Sequence, residues 1–176
     1  MTSHPLLAAI RFDAGDIDSF LAEVAARLDA SGLRIRGALQ SRGAASGECH
    51  CADMDLTTLG SGKTFRISQP LGAGSRGCRL HPGALADCAA FIEGELRAGA
   101  DLLILNRFGR GESEGRGFRD LIASAISLGV PVLTAVRPTY AEGWRMFGGD
   151  AACDLPMETR AVVDWALQSQ EARDAA

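Results

Sequence analysis

At 176 residues, 47% of them hydrophobic, the chain can bury the core of one domain and is short for two. A formal net charge of -4 argues against general nucleic-acid binding, and seven Phe, two Trp and one Tyr give no stacking platform for bases. No segment is both long enough to span a membrane and free of charge, and the opening MTSHPLLAAIRFDAGD lacks the basic flank and long apolar region of a secretory signal. The expected location is the cytoplasm, where five cysteines, odd in number and without a framework spacing, stay reduced.

Leu6–Phe12 reads as the first strand and Asp13–Asp16 as an acidic turn. Asp16 or Asp18 can cap a helix over Ile17–Ala30, where Phe20, Leu21, Val24, Ala25 and Leu28 share one stripe. Leu33–Gln40 is the second strand, followed by the polar loop SRGAASGE. Cys49–Leu56 and Thr64–Ser68 read as a hairpin turned by TTLGSG, and Pro70–Arg79 as a glycine-rich loop. Pro82 opens a helix to about Arg97 that buries Leu85, Cys88, Ala89, Ile92 and Leu96. Asp101–Asn106 is a strand, Gly117 or Phe118 to Leu128 a helix, and Val130–Val136 a strand. Thr139 and Glu142 suggest a capping box for a helix anchored by Trp144 and Phe147. Leu155–Pro156 leads into a short last helix with Val162, Val163 and Trp165, and SQEARDAA is expected to fray. Apolar strands alternating with helices predict one three-layer α/β domain over 1–176. Its sheet is mostly parallel, and the hairpin at about 49–69 is an antiparallel insert or edge.

Gly60–Thr64 reads GSGKT, but Thr57 stands where a phosphate loop needs its first glycine, and a strand follows where a helix should begin. A hairpin turn with an exposed Lys63 is the reading. After the first strand, where such a loop belongs, Asp13 and Asp16 would repel phosphate, and no lysine is present. These two carboxylates are candidate contacts for Mg²⁺ or a cationic ligand, or else cap and turn residues.

Two loops carry candidate ligand contacts. Gly72, Gly74 and Gly77 surround Ser75 and Arg76, with Arg79 following, which suits an anion nest or a plain surface loop. The stretch DLLILNRFGRGESEGRGFR delivers Asn106 and Arg107 to the C-terminal end of a strand, where open α/β sheets bind ligands. Asn106 must meet a partner there, either ligand or neighbouring backbone. Arg107 and Arg110 could clamp phosphate, molybdate or a carboxylate. Glu112 could hold a metal, activate water or pair with an arginine, and Glu114 and Arg116 suit each other. In a strand, Cys49 and Cys51 face one side and His50 the other. With Cys78 and His81 they could form a zinc set only if hairpin and loop meet, and buried thiols are the simpler account. Cys88 reads as core, Cys153 has no evident partner, and His4 reads as exposed.

The segments DLTTLGSGKTFRISQPLGAGSRGCRLHPGAL and LLILNRFGRGESEGRGFRDLIASAISLGVPVLTAV resemble a bacterial family of unknown biochemical function. Its members are often encoded beside molybdate-transport or nitrogenase-related genes. The resemblance spans about Leu6 to Trp165. The family pattern has Asp where His81 stands and NKFG where Asn106–Gly109 stand. The layout is also similar to small thermostable nucleoside-triphosphatases of phosphate-loop fold. Their DEIG-type strand end falls on Asn106–Gly109, with their acidic catalytic residue on Arg107 and a further acidic position on Glu112. Their phosphate loop falls near Asp13–Asp16, where it is missing.

The resemblance implies a non-catalytic accessory protein of molybdenum or nitrogenase-linked metabolism. Its ligand would be an oxyanion or phosphorylated cofactor, such as molybdate, a pterin cofactor or a nucleotide. Arg107, Arg110, Ser75 and Arg76 would hold it, helped by Gly72, Gly74 and Gly109. One alternative is a triphosphatase with Glu112 as base or metal ligand. The other is a regulatory or structural partner, such as a homodimer joined through the hairpin edge and Tyr140, Trp144 and Phe147.

Overall fold

A computed structural model describes residues 4–42, 54–70 and 78–176, apart from the side chains of Arg42, Gln69, Pro70, Cys78 and Arg79. The first half of the chain folds as β1 (Leu7–Arg11), α1 (Ile17–Ala30), β2 (Ile35–Arg42), β3 (Met54–Thr58), β4 (Thr64–Arg66), β5 (Ser68–Pro70), β6 (Cys78–Leu80) and α2 (Pro82–Ala98). The second half follows as β7 (Leu102–Leu105), α3 (Arg110–Ser113), α4 (Arg119–Ser127), β8 (Val132–Val136), α5 (Ala141–Gly148), β9 (Ala152–Leu155) and α6 (Thr159–Asp174). Among the described residues, one sheet has the order β4-β3-β2-β7-β8-β1-β9, and β5 pairs with β6 apart from it. The strands from β2 to β9 in that order run parallel, and β3 and β4 add to the β2 edge antiparallel.

The apolar strands are explained by burial on both sides. Leu7 and Ala9 of β1, Leu103 and Leu105 of β7, and Val132 and Val136 of β8 pack toward α2, α4 and α5. Their neighbours Ala8, Ile10, Leu102, Ile104, Leu133 and Ala135 pack toward α1 and α6. Each fully buried aliphatic side chain stabilises the fold by roughly 1.5–3 kcal/mol, so the alternation fixes which helices cover which face. Trp144 is buried against Phe108, and Phe147 completes that aromatic cluster, so both belong to the core. None of the described helices is long and apolar enough to cross a membrane.

The hairpin adds to the edge of the main sheet, with GSGKT at its turn and Lys63 exposed as expected, its Nζ lying 4.9 and 4.5 Å from the ring centroids of Phe65 and Phe91. Several other local expectations change. No capping box opens α5: Pro138–Tyr140 is a 3-10 turn, so Thr139 lies inside helical backbone where it cannot cap. The last helix is not short and does not fray at SQEARDAA, because α6 runs to Asp174. Ser169 is buried and donates to the Trp165 carbonyl, and Arg173 reaches the carbonyls of Ala100 and Asp101. His4 is half-buried: its Nε2 lies 2.8 Å from Ser169 Oγ, and its ring stacks on Trp165. His81 caps α2, accepting from the Ala84 N–H through Nδ1 at 3.0 Å.

The N-terminal edge of the sheet is tied by Asp101. Its carboxylate accepts from the Arg34 backbone N–H at 2.8 Å and from both arms of the Arg34 guanidinium at 3.1 and 2.8 Å. The hydrogen-bonded Arg34 side chain, aided by the Arg34 N–H and by Arg173, holds this carboxyl below the usual carboxylate range. A carboxyl depressed in the folded state contributes stability that is complete above its unfolded value of about 3.9 and is lost as pH falls through the folded value. Asp101→Asn is therefore expected to lower stability at neutral pH and to flatten the acid limb of the stability profile, as read by urea unfolding at stepped pH.

Candidate functional site

The crossovers leaving β1 and β8, which are neighbours in the sheet, run over opposite faces to α1 and α5. A crevice forms at the C-terminal ends of strands where connections diverge in this way. There the structure has a cleft of about 750 Å³ lined by Gly15, Asp16, Asp18, Ser19, Gln40, Arg107 and Arg137.

Each wall follows from local chemistry. Asp16 caps α1, accepting from the Ser19 N–H at 3.1 Å and the Ser19 hydroxyl at 2.6 Å, so the first turn of α1 opens onto the cleft. The chain leaving β7 bridges Phe108 to Val136 and turns Arg107 outward, where Nη2 donates to Asp18 at 3.1 and 3.3 Å. Arg137 follows the last residue of β8. Its guanidinium lies 5.0 Å from the buried Phe12 ring centroid, and that of Arg107 lies 5.9 Å from it. Among the described residues Arg137 has no carboxylate partner. An exposed guanidinium fork is suited to oxyanions, and the two carboxylates that share the cleft are engaged within the protein, Asp18 by Arg107 and Asp16 by the Ser19 N–H and hydroxyl.

Residues 6–165 match the family described as protein of unknown function DUF2478. The chain belongs to the DUF2478 family. Over 150 residues it is 36% identical to the molybdenum import ATP-binding protein ModC 2 of Bradyrhizobium diazoefficiens. That match takes in 85% of this chain but spans only 17% of the length of that relative. The solution structure of a human cancer-related nucleoside triphosphatase is similar at a TM-score of 0.61 and 12% identity, covering 97% of each chain. At that identity the likeness concerns the fold, which agrees with the α/β, mostly parallel architecture expected from the sequence.

In this DUF2478 chain only part of the sequence-derived candidate set gathers at the cleft. Asp16 and Arg107 line it, whereas Asp13 stands on the exposed turn before α1 and does not. Asn106 is buried and meets neighbouring groups: its Oδ1 accepts from the Gln40 N–H at 3.1 Å, and its Nδ2 donates to Gln40 Oε1 at 3.3 Å. Gly109 precedes α3, and Arg110 is exposed and paired with Glu114 at 2.9 Å; Glu114 also pairs with Arg116. Glu112 is buried away from the cleft lining. Its Oε2 accepts from the Gly109 N–H at 3.0 Å and its Oε1 from the Phe118 N–H at 2.9 Å, closing the 109–118 loop. Gly72, Gly74, Ser75 and Arg76 lie outside the described residues, as do Cys49, His50 and Cys51. Cys78 and Arg79 contribute only described backbone, in β6. Burial pushes the Cys88 and Cys153 thiols up to about 11, so neither is a thiolate at neutral pH.

Sequence reasoning missed Arg137 and Gln40. Arg137 carries the same signal as Arg107, a charged residue directly after an apolar strand, in VLTAVRP. Glu112 makes a separate prediction. Glutamine has one acceptor oxygen where this site uses two, so Glu112→Gln leaves one inward N–H facing another donor. The expected loss is about 1–3 kcal/mol of stability by urea unfolding.

Proposed function

We propose that this chain binds a phosphorylated cofactor or nucleotide through its anionic end, without hydrolysing it, as an accessory protein of molybdenum-linked metabolism. The observation that carries the reading is the convergence of Arg107 and Arg137 on Phe12 at a cleft that also receives the first turn of α1. A cleft of about 750 Å³ has the size of cofactor sites, and a lone tetrahedral oxyanion would leave most of it empty. Phosphoryl transfer relies on a phosphate cradle with lysine and on carboxylates for Mg²⁺ or water. Here the cradle position reads DAGD, Asp16 caps α1, Asp18 pairs with Arg107, and Glu112 closes its own loop. The similarity to the molybdenum import ATP-binding protein ModC 2 supports the link to molybdenum. Such an accessory protein would work in the cytoplasm.

The test begins with freshly purified protein, denatured and assayed for released compounds by mass spectrometry and for molybdenum by elemental analysis. Molybdate, pyrophosphate and ATP are then titrated calorimetrically into protein shown to be ligand-free. Release of a phosphorylated compound, or micromolar binding of pyrophosphate or ATP with no phosphate produced, is the expected result. Absence of binding by all three, or ATP turnover above a control preparation, overturns the reading.

A further inference from the structure

The cleft holds one more polar group whose orientation is decided by a neighbour. The β2–β7 ladder ends at Ala38 and Leu105, and beyond it the Asn106 side chain takes over the pairing with β2. A backbone N–H can only donate, so the Asn106 atom 3.1 Å from the Gln40 nitrogen is the oxygen. That leaves the Asn106 NH₂ facing the Gln40 side chain at 3.3 Å, and a donor there requires the Gln40 oxygen. Gln40 lines the cleft, and with Oε1 taken its Nε2 has no partner among the described residues. Asn106 itself is buried, so its amide has no solvent alternative that would let the pair reverse.

We propose that Asn106 is a positioning residue that fixes Gln40 as a neutral N–H donor to the ligand, beside Arg107 and Arg137. This inference rests on the anion-binding reading of the same cleft and specifies the ligand chemistry at one point: an acceptor oxygen, such as a phosphoryl oxygen, sits opposite Gln40. A ligand ammonium group, which can only donate, would meet N–H groups there and be rejected. Gln40→Met removes the donor. Asn106→Asp keeps the acceptor for the Gln40 N–H but replaces the NH₂ with a second acceptor, which reverses the Gln40 amide and turns Oε1 to the cleft.

Two measurements test this. The first needs no ligand: proton exchange of the side-chain amides in ¹⁵N-labelled protein. Gln40 Nε2 protons are expected to exchange freely in the unaltered chain and to become protected in Asn106→Asp; protection already present in the unaltered chain overturns the proposal. The second is pyrophosphate binding by calorimetry. Gln40→Met is expected to weaken it about tenfold, as loss of one hydrogen bond to a charged group implies. Asn106→Asp should weaken it at least as much alone but markedly less in the Gln40→Met background, where only its added charge acts. Equal losses in both backgrounds, or an unchanged affinity in Gln40→Met with Arg137→Ala still weakened, overturn this inference and leave the anion reading standing. No pyrophosphate, molybdate or ATP binding by the unaltered chain overturns both.

Discussion

Arg137→Ala is expected to weaken pyrophosphate binding about 100-fold while leaving the urea midpoint unchanged. The magnitude follows from losing two charge-assisted hydrogen bonds from one guanidinium fork, which together are worth roughly 3 kcal/mol, or two decades in affinity. The side chain is exposed, and its contact within the protein is with the Phe12 ring, so stability has little to lose. Arg137→Lys keeps the charge without the fork and should recover about half of the loss on a logarithmic scale. Arg107 is different, because it already carries Asp18: truncating it also bares a carboxylate toward the ligand. Arg107→Ala should therefore be partly rescued by Asp18→Asn, whereas nothing on α1 should rescue Arg137→Ala. All titrations belong at one ionic strength, because screening weakens exposed charges. An Arg137→Ala protein that binds pyrophosphate as before would remove the cleft from consideration.

The sequence was most legible where one residue type had one physical use. Helix α1 begins and ends where its apolar stripe and the acidic cap put it, at Ile17 and Ala30. The GSGKT segment read as a turn because a strand follows it, and it is one. Strand β9 was missed because an edge strand is covered on one side only and gives no continuous apolar run; its residues are half-buried or exposed. Helix α3 was missed because its four residues are too few for a periodicity. The position of Glu112 depends on a backbone that folds back on itself between Gly109 and Phe118, which a linear pattern does not carry. Gln40 reads in the sequence as the end of a strand before a polar loop, although β2 runs on to Arg42, and only the strand order β2-β7-β8-β1 brings it to the same cleft as Arg137.

The largest effect on stability is expected at Gly37, in the middle of β2. Its φ of +126° lies where side chains are rarely accommodated, and a Cβ there would overlap the carbonyl of Ile104 on β7. The overlap is with backbone, and Ile104 cannot withdraw because the pairs on either side, Arg36 with Leu103 and Ala38 with Leu105, hold the two strands in register. Gly37→Ala is expected to cost about 3–5 kcal/mol, a large share of the roughly 5–15 kcal/mol that stabilises a domain. Gly32 supplies the control: it also has a positive φ, of +89°, but a Cβ there meets nothing within 4 Å, so Gly32→Ala should cost only about 1 kcal/mol of backbone strain. The difference between the two urea midpoints measures the close approach of β2 to β7. That approach sets Gln40 beside Asn106, so any Gly37→Ala protein that still folds should bind pyrophosphate more weakly than the Gly32→Ala protein. Equal costs at the two glycines would mean that the Ile104 carbonyl yields, and that the register of β2 is held by side-chain burial and not by backbone contact.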